Sequence, residues 1–385
     1  MKIAHISDAH LGRQQYHLKE REEDYFQALE EALRLAKPAD AVVITGDLLD
    51  TRRPSTRVLL KAIDILSGAG LPIYAVGGNH DYSHLRPEET PLRLLDRVRT
   101  LRLLCFDEAD LGGVWIYGAC AVPRSRAEEF RQRILSARPG SLLAIHQAVE
   151  GVKARYPSAV DEHTMPLKAF SGVKAVHIAA GHVHDHGAST TVPGAGGAVQ
   201  VLWAGSLELW DSGEFETWDL SGGRWERRQE AAPKGLYLID LAGRGASVEE
   251  IPLRPRRRML RLRLFLGEAR EAEEAFDEAA RRFDEAGAVV KVELYGEVGE
   301  DLRPSRYAAY FSKALYVDVV DRTKKPREAV VRAGSAYEAV ERLLREKLGA
   351  GADVVAKALV YIRDGDKAAA RKAVEEWLYA QMDRA

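Results

Sequence analysis

A chain of 385 residues with 46% hydrophobic and 30% charged side chains is long enough for two or three domains and a sizeable core. Its formal net charge of -2 excludes a globally basic nucleic-acid coat and leaves room for a local basic face. No apolar run approaches the roughly 18 residues that cross a bilayer, and the opening "MKIAHISDAH" has neither the apolar core nor the cleavage site of a secretory leader, so a cytoplasmic chain with no membrane segment is expected.

Up to about Ala232, short apolar runs alternate with amphipathic helical stretches. "KIAHIS", "AVVIT", "IYAVGG", "SLLAIH" and "AVHIAAGH" are short, rich in Val, Ile and Ala, and end in Gly or polar residues, which predicts buried strands. Between the first two, Tyr25, Phe26, Leu29, Leu33 and Ala36 mark one face of a helix from Glu22 that Pro38 stops. Pro54 and Ser55 open a second helix with Val58, Leu59, Ala62, Ile63 and Leu66 inward. This alternation predicts layered α/β architecture over residues 1–232.

From "KGLYLID" the texture changes. Met259 to Leu266 alternates leucine with arginine as a half-buried strand does, a charged helix runs from about Glu268 to Glu285, and "AVVKVELY" and "ALYVDVV" follow as strands. Residues 233–326 are therefore expected as a small α+β module. Beyond Pro326 the apolar spacing predicts a helical segment, 327–385, whose stripes include Trp377, Leu378 and Tyr379.

Cys105 and Cys120 lack the spacing of a zinc site, and two cysteines cannot build a disulfide framework, so both are expected as reduced core residues. One Asn, two Cys and four Met beside many charged residues fit either a thermophile or a GC-rich genome. Under both readings Asn79, the single asparagine, survived a pressure that removed the others, as a position needing an amide oxygen would.

The chemistry collects where strands end. "SDAH", "GDLLD", "GGNHD", His146 and "GHVH" each close one of the five predicted strands, and all eleven histidines precede residue 187. Ligand sites in α/β sheets form outside the carboxyl ends of strands. Side chains at i and i+2 of an extended segment point the same way, so Asp8 pairs with His10 and His182 with His184. With Asp47, Asn79 and His146 these make seven oxygen or nitrogen donors, enough for two metal ions when one carboxylate bridges them.

These five strings in order, DxH, GDxxD, GNHD, a later His and GHxH, resemble the calcineurin-like metallophosphoesterases. "REEDYFQAL", "GDLLDTRRPS", "HQ" at His146, "AGSLELWDSGE" and "KGLYLID" are similar to the double-strand-break repair nuclease branch, the SbcD or meiotic-recombination-eleven type, over roughly residues 1–240. The resemblance implies a layered β-sandwich with flanking helices, an α+β capping domain that contacts DNA, and a helical tail. It implies one metal held by Asp8, His10, Asp47 and His184, and another by Asp47, Asn79, His146 and His182. Manganese is the implied metal, with magnesium or other divalent ions as alternatives. His80 would protonate the leaving oxygen, and Asp81 would orient it. Asp50 stands where many archaeal and eukaryotic relatives have His, which leaves the balance of exonuclease and endonuclease action open.

Arg13, His17, Arg52 and Arg53 fall in loops beside these donors, where a DNA backbone would pass. "RPRRRMLRLR" from Arg254 to Arg263 fits either a DNA-capping patch or ordinary outward strand residues. The resemblance further implies a homodimer and an SMC-like ABC-type ATPase partner docked on the C-terminal helices. The rival enzyme reading is a two-metal phosphatase or cyclic-nucleotide phosphodiesterase on a non-DNA substrate: protein phosphatases of the superfamily carry GDxVDRG and GNHE, strings this chain lacks, while the resemblance in fold leaves the others open. A non-catalytic scaffold would be expected to have lost a metal donor, whereas none is missing.

Overall fold

The computed structural model describes residues 1–83, 85–155, 163–242, 245–268, 270–296, 298, 302–323 and 354. Strand and helix alternate as β1 (Lys2–Ile6), α1 (Lys19–Leu35), β2 (Ala41–Thr45), α2 (Thr56–Gly68), β3 (Ile73–Val76), α3 (Pro91–Arg97) and β4 (Arg102–Leu103). A second series holds β5 (Asp107–Asp110), β6 (Trp115–Ala119), α4 (Ala127–Ile134), β7 (Leu142–His146), the short β8 (Ala148–Val149) and β9 (Thr164–Met165), β10 (His177–Gly181), β11 (Ser189–Gly194) and β12 (Gly197–Trp203). Then come β13 (Glu216–Ser221), β14 (Arg224–Gln229), β15 (Lys234–Ala242), β16 (Gly245–Leu253), β17 (Met259–Leu266), α5 (Glu271–Phe283), β18 (Val289–Gly296), α6 (Pro304–Tyr307) and β19 (Tyr316–Asp321).

Two six-stranded sheets, ordered β16-β15-β1-β2-β3-β4 and β11-β12-β10-β7-β6-β5, pack face to face as the expected sandwich. Strands β1 to β4 run parallel in the first sheet, and β6, β7, β10 and β12 run parallel in the second. On β7, Leu142 and Ala144 point into the core shared with Val42 and Ile44, while Leu143 and Ile145 turn to Phe130 and Ile134 of α4. The buried face of α1 carries Tyr25, Phe26, Leu29 and Leu33 as its spacing predicts. Ser55 caps α2, its Oγ accepting the Val58 N–H at 3.3 Å.

A third sheet, ordered β14-β13-β17-β18-β19, forms the smaller module. Helix α5 seals one face of it, setting Phe276 and Ala279 against Leu260, Leu262, Leu264 and Val292. The sheets do not follow the expected boundary at 232/233. Strands β13 and β14, before it, belong to the small sheet, and β15 and β16, after it, return to pair with β1. Leu236 to Ile239 is buried throughout, and beside β1 such an apolar strand finds cover on both faces.

The expectation for the cysteines is corrected. Cys105 and Cys120 form a disulfide, with Cα atoms 5.0 Å apart, because the chain segments leaving β4 and entering the loop after β6 arrive side by side. Nothing in the number or spacing of two cysteines marks an approach through space. The helical segment expected at 327–385 lies, Val354 aside, outside the described residues. No helix among the described residues is long and apolar enough to cross a membrane.

Candidate metal centre

The loops after β1, β2, β3, β7 and β10 leave the carboxyl ends of parallel strands and converge at one rim of the sandwich. The first two are laced together by backbone bonds from the Asp8 N–H to the Gly46 carbonyl at 3.2 Å and from the His10 N–H to the Asp47 carbonyl at 2.9 Å. Asp8, His10, Asp47 and His182 all sit on left-handed backbone, with φ of 48°, 44°, 47° and 86°. Non-glycine residues adopt that conformation only where surrounding structure enforces it, and such positions cluster at functional sites. The third loop comes so close that a Cβ on Gly78 would overlap the Asp47 carboxylate.

The donors fall into two adjoining groups. In the first, His10 Nε2 and His184 Nε2 are 3.2 Å apart, Asp8 Oδ1 is 3.6 Å from His184 Nε2, and Asp47 Oδ2 is 3.8 Å from His10 Nε2. In the second, His146 Nε2 is 3.3 Å from Asp47 Oδ2 and 3.1 Å from Asn79 Oδ1, which is itself 3.0 Å from His182 Nδ1. Asp47 touches both groups. All seven residues expected as donors are therefore brought together.

The chemistry of this set fits divalent cations. Ligand atoms of Asp8, His10 and His184 lie within 4.8 Å of one another, as do those of Asp8, Asp47 and His146. Two imidazole nitrogens 3.2 Å apart repel unless a proton or a cation stands between them. Burial first, then His10 and Lys234, hold the His184 ring well below its usual pKa, so the ring stays neutral and keeps one nitrogen lone pair for a cation. Burial opposes charge on Asp47, but His146, and then His10 and His80, outweigh it and keep the carboxyl well below the usual range. Burial likewise opposes a proton on His146, yet Asp47 lifts the ring to about 10. A carbonyl oxygen only accepts, so His146 Nδ1, 2.8 Å from the Thr45 carbonyl, carries the ring hydrogen in the neutral form and leaves the Nε2 lone pair facing Asp47 and Asn79.

A family model described as calcineurin-like phosphoesterase matches residues 1–186. The chain carries a calcineurin-like phosphoesterase domain. Proteins named DNA double-strand break repair protein Mre11 are its relatives: that of Sulfurisphaera tokodaii is 28% identical over 65% of this chain and 62% of its own length. That of Haloferax volcanii is 30% identical over 80% of this chain and 64% of its own, and that of Methanocaldococcus jannaschii 24% identical over 83% of each. The matched stretch thus spans a little over three fifths of the first of these relatives. The phosphoesterase domain is thus similar to proteins named for double-strand-break repair, and its family works with divalent metals.

Beside the centre of this phosphoesterase domain opens a cleft of about 610 Å³, lined by Asn79, His80, Asp50, Arg52, Arg53 and Arg86 among others. His80 is held from behind, its Nδ1 donating to the Asp50 carbonyl at 3.0 Å. The expected role of Asp81 in orienting that ring is corrected. Its carboxylate accepts the N–H groups of Leu49 at 3.1 Å and Gly78 at 2.9 Å, tying the second loop to the third. Burial, and then repulsion from Asp47, raise the Asp81 carboxyl to about 7. Asp50 is the residue that positions His80, and its Oδ1 also lies 3.2 Å from His10 Nδ1.

Arg52 and Arg53 are exposed in the cleft lining. Arg13 lies elsewhere, over the ring of Trp210 at 3.4 Å and 3.6 Å from Asp50 Oδ1, and His17 is exposed after a short turn. The basic string from Arg254 resolves toward its structural alternative: Arg257 pairs with Asp24, Arg258 with Glu216, Arg261 with Glu293 and Arg263 with Asp219. Sequence reasoning missed Trp210, whose ring is 4.2 Å from those of both His10 and His184. The residue lies within "AGSLELWDSGE", a string read only for its family resemblance.

Proposed function

We propose that this chain is a manganese-dependent DNA nuclease, cutting duplex ends as an exonuclease and single strands as an endonuclease, in double-strand-break repair. The observation that carries the reading is the convergence of Asp8, His10, Asp47, Asn79, His146, His182 and His184 on one rim beside an arginine-lined cleft. The repair function printed in the names of its relatives supports the choice of DNA. Asp8, His10, Asp47 and His184 would hold one cation, and Asp47, Asn79, His146 and His182 the other. Carboxylate, imidazole and amide donors without thiolate favour manganese over a structural zinc. A pair of such cations supplies Lewis acidity and charge neutralisation to a phosphodiester.

The chain's own groups do the rest. With Nδ1–H committed to the Asp50 carbonyl, His80 as the imidazolium would give its Nε2 proton to the leaving oxygen and be left neutral, with Nδ1–H still in place. Arg52 and Arg53 would hold backbone phosphates along the cleft, and Arg13 and His17 would extend the path. As partners, we infer a second copy of this chain and an SMC-like ABC-type ATPase docked on residues 327–385. Leu60 on α2, Leu94 on α3 and Val98 just after it are exposed apolar side chains that such a dimer would cover.

The test is the purified chain with Mn2+ on linear duplex DNA, on a small chromogenic phosphodiester and on a phosphopeptide. Preferred cleavage of DNA is expected. A preference for the phosphopeptide overturns the reading.

A further inference from the structure

Two strings that the metal donors leave unexplained, "AGSLELWDSGE" and "KGLYLID", meet around one buried charge. Lys234 opens β15 with its side chain fully buried. Its Nζ lies 2.7 Å from Glu214 Oε2 and donates to Ser206 Oγ at 2.8 Å and to the His184 carbonyl at 3.3 Å. The same Glu214 oxygen accepts the Trp210 N–H at 2.9 Å. Trp210 in turn lies against His10 and His184, while Arg13 covers its ring, so this aromatic is a wall of the centre rather than a surface for stacking a base.

We propose that Lys234 is a positioning residue that fixes the chain from His184 to Trp210, so that the Asp8, His10 and His184 donors meet at one point. The proposal rests on the two-cation reading above. An ammonium has three donor hydrogens, and the three contacts account for all of them. Each contact lies on a segment that carries His184 or Trp210, and none lies on Asn79 or His146; His182, two residues before the held carbonyl, is anchored separately, its N–H donating to the Asp8 carboxylate at 3.2 Å. Removing the ammonium strands a buried carboxylate, which then seeks another partner and drags the Trp210 backbone with it. The consequence is selective: one cation step suffers and the other is spared. A lysine that served the fold alone would weaken both steps together.

The experiment is calorimetric titration of the full chain with Mn2+, as wild type, as Lys234→Met, and as Glu214→Gln, the milder variant that keeps an acceptor for the Trp210 N–H. Wild type is expected to take two ions. Lys234→Met should weaken one step by about 10–100-fold and leave the other within about twofold, and Glu214→Gln should weaken the same step by less. Where Lys234→Met does not fold, Glu214→Gln decides. Both steps unchanged in every folded variant, or both falling together, overturns the role of Lys234. A wild-type chain that takes fewer than two ions instead overturns the two-cation reading, a result distinct from variants that match wild type.

Discussion

Asn79 Oδ1 stands 3.0 Å from His182 Nδ1, although 103 residues separate the two in sequence. The same oxygen lies 3.1 Å from His146 Nε2, so the chain's single asparagine is placed as a neutral donor between two imidazoles. Replacing it removes that oxygen without disturbing the carboxylates. Asn79→Ala is expected to weaken one Mn2+ binding step by at least about tenfold, the lower range for groups that merely orient ligands. Titration calorimetry reads the change, and unaltered affinity at both steps would remove Asn79 from the donor set.

His80 touches the cleft and the Asp50 carbonyl and takes part in neither of the two proposed cation shells. His80→Ala should therefore retain both ions and lose about 2–4 kcal/mol of transition-state stabilisation, the range for a positioned acid or oxyanion donor. Single-turnover cleavage of linear DNA, beside a Mn2+ titration of the same variant, checks both halves.

Arg52 and Arg53 are exposed in the cleft lining and free to meet phosphates. Replacing both with alanine should lower the slope of log affinity against log salt by about 1.8 for duplex DNA, two contacts at roughly 0.9 each. Cleavage of a small chromogenic phosphodiester, too short to reach them, should keep its rate. Equal loss on both substrates would place these arginines in the reaction rather than in the grip.

Much of this was legible in the sequence because the signals were local. Strand endings and the alternation of Met259 to Leu266 survive in the fold. The extended i and i+2 pairing does not: Asp8, His10 and His182 sit on left-handed backbone past the ends of β1 and β10, and His182 and His184 fall into separate donor groups. What escaped depended on approach through space. The pairing of Cys105 with Cys120, the return of β15 to β1, and the turn of Asp81 toward Leu49 and Gly78 have no periodic signature. Trp210 and Lys234 lie far from every metal motif in sequence, so their convergence on His184 shows only in the fold.

His5 and His177 carry a pH prediction that needs no metal. Burial, and then His177, lower the His5 ring to about 3, and burial lowers His177 to about 4. Both rings are neutral in the folded chain and charge more easily when unfolded. Their contribution to stability is thus complete above the ordinary histidine value of about 6.5, and is lost as pH falls from there toward 4 and 3. Each adds up to about 1.4 kcal/mol per pH unit inside that window. Urea melts of the metal-free chain from pH 7.5 to 4.5 should show this fall, and His177→Leu should flatten it, provided the variant remains folded at pH 7.5.

The shared position of Asp47 between two donor groups is tested most directly by diffraction from crystals soaked in Mn2+, with data collected at the manganese absorption edge. Two anomalous peaks about 3.5–4 Å apart are expected, with the Asp47 carboxylate between them, His184 on one and Asn79 on the other. A single peak, or two peaks too far apart for one carboxylate to span, would contradict the account.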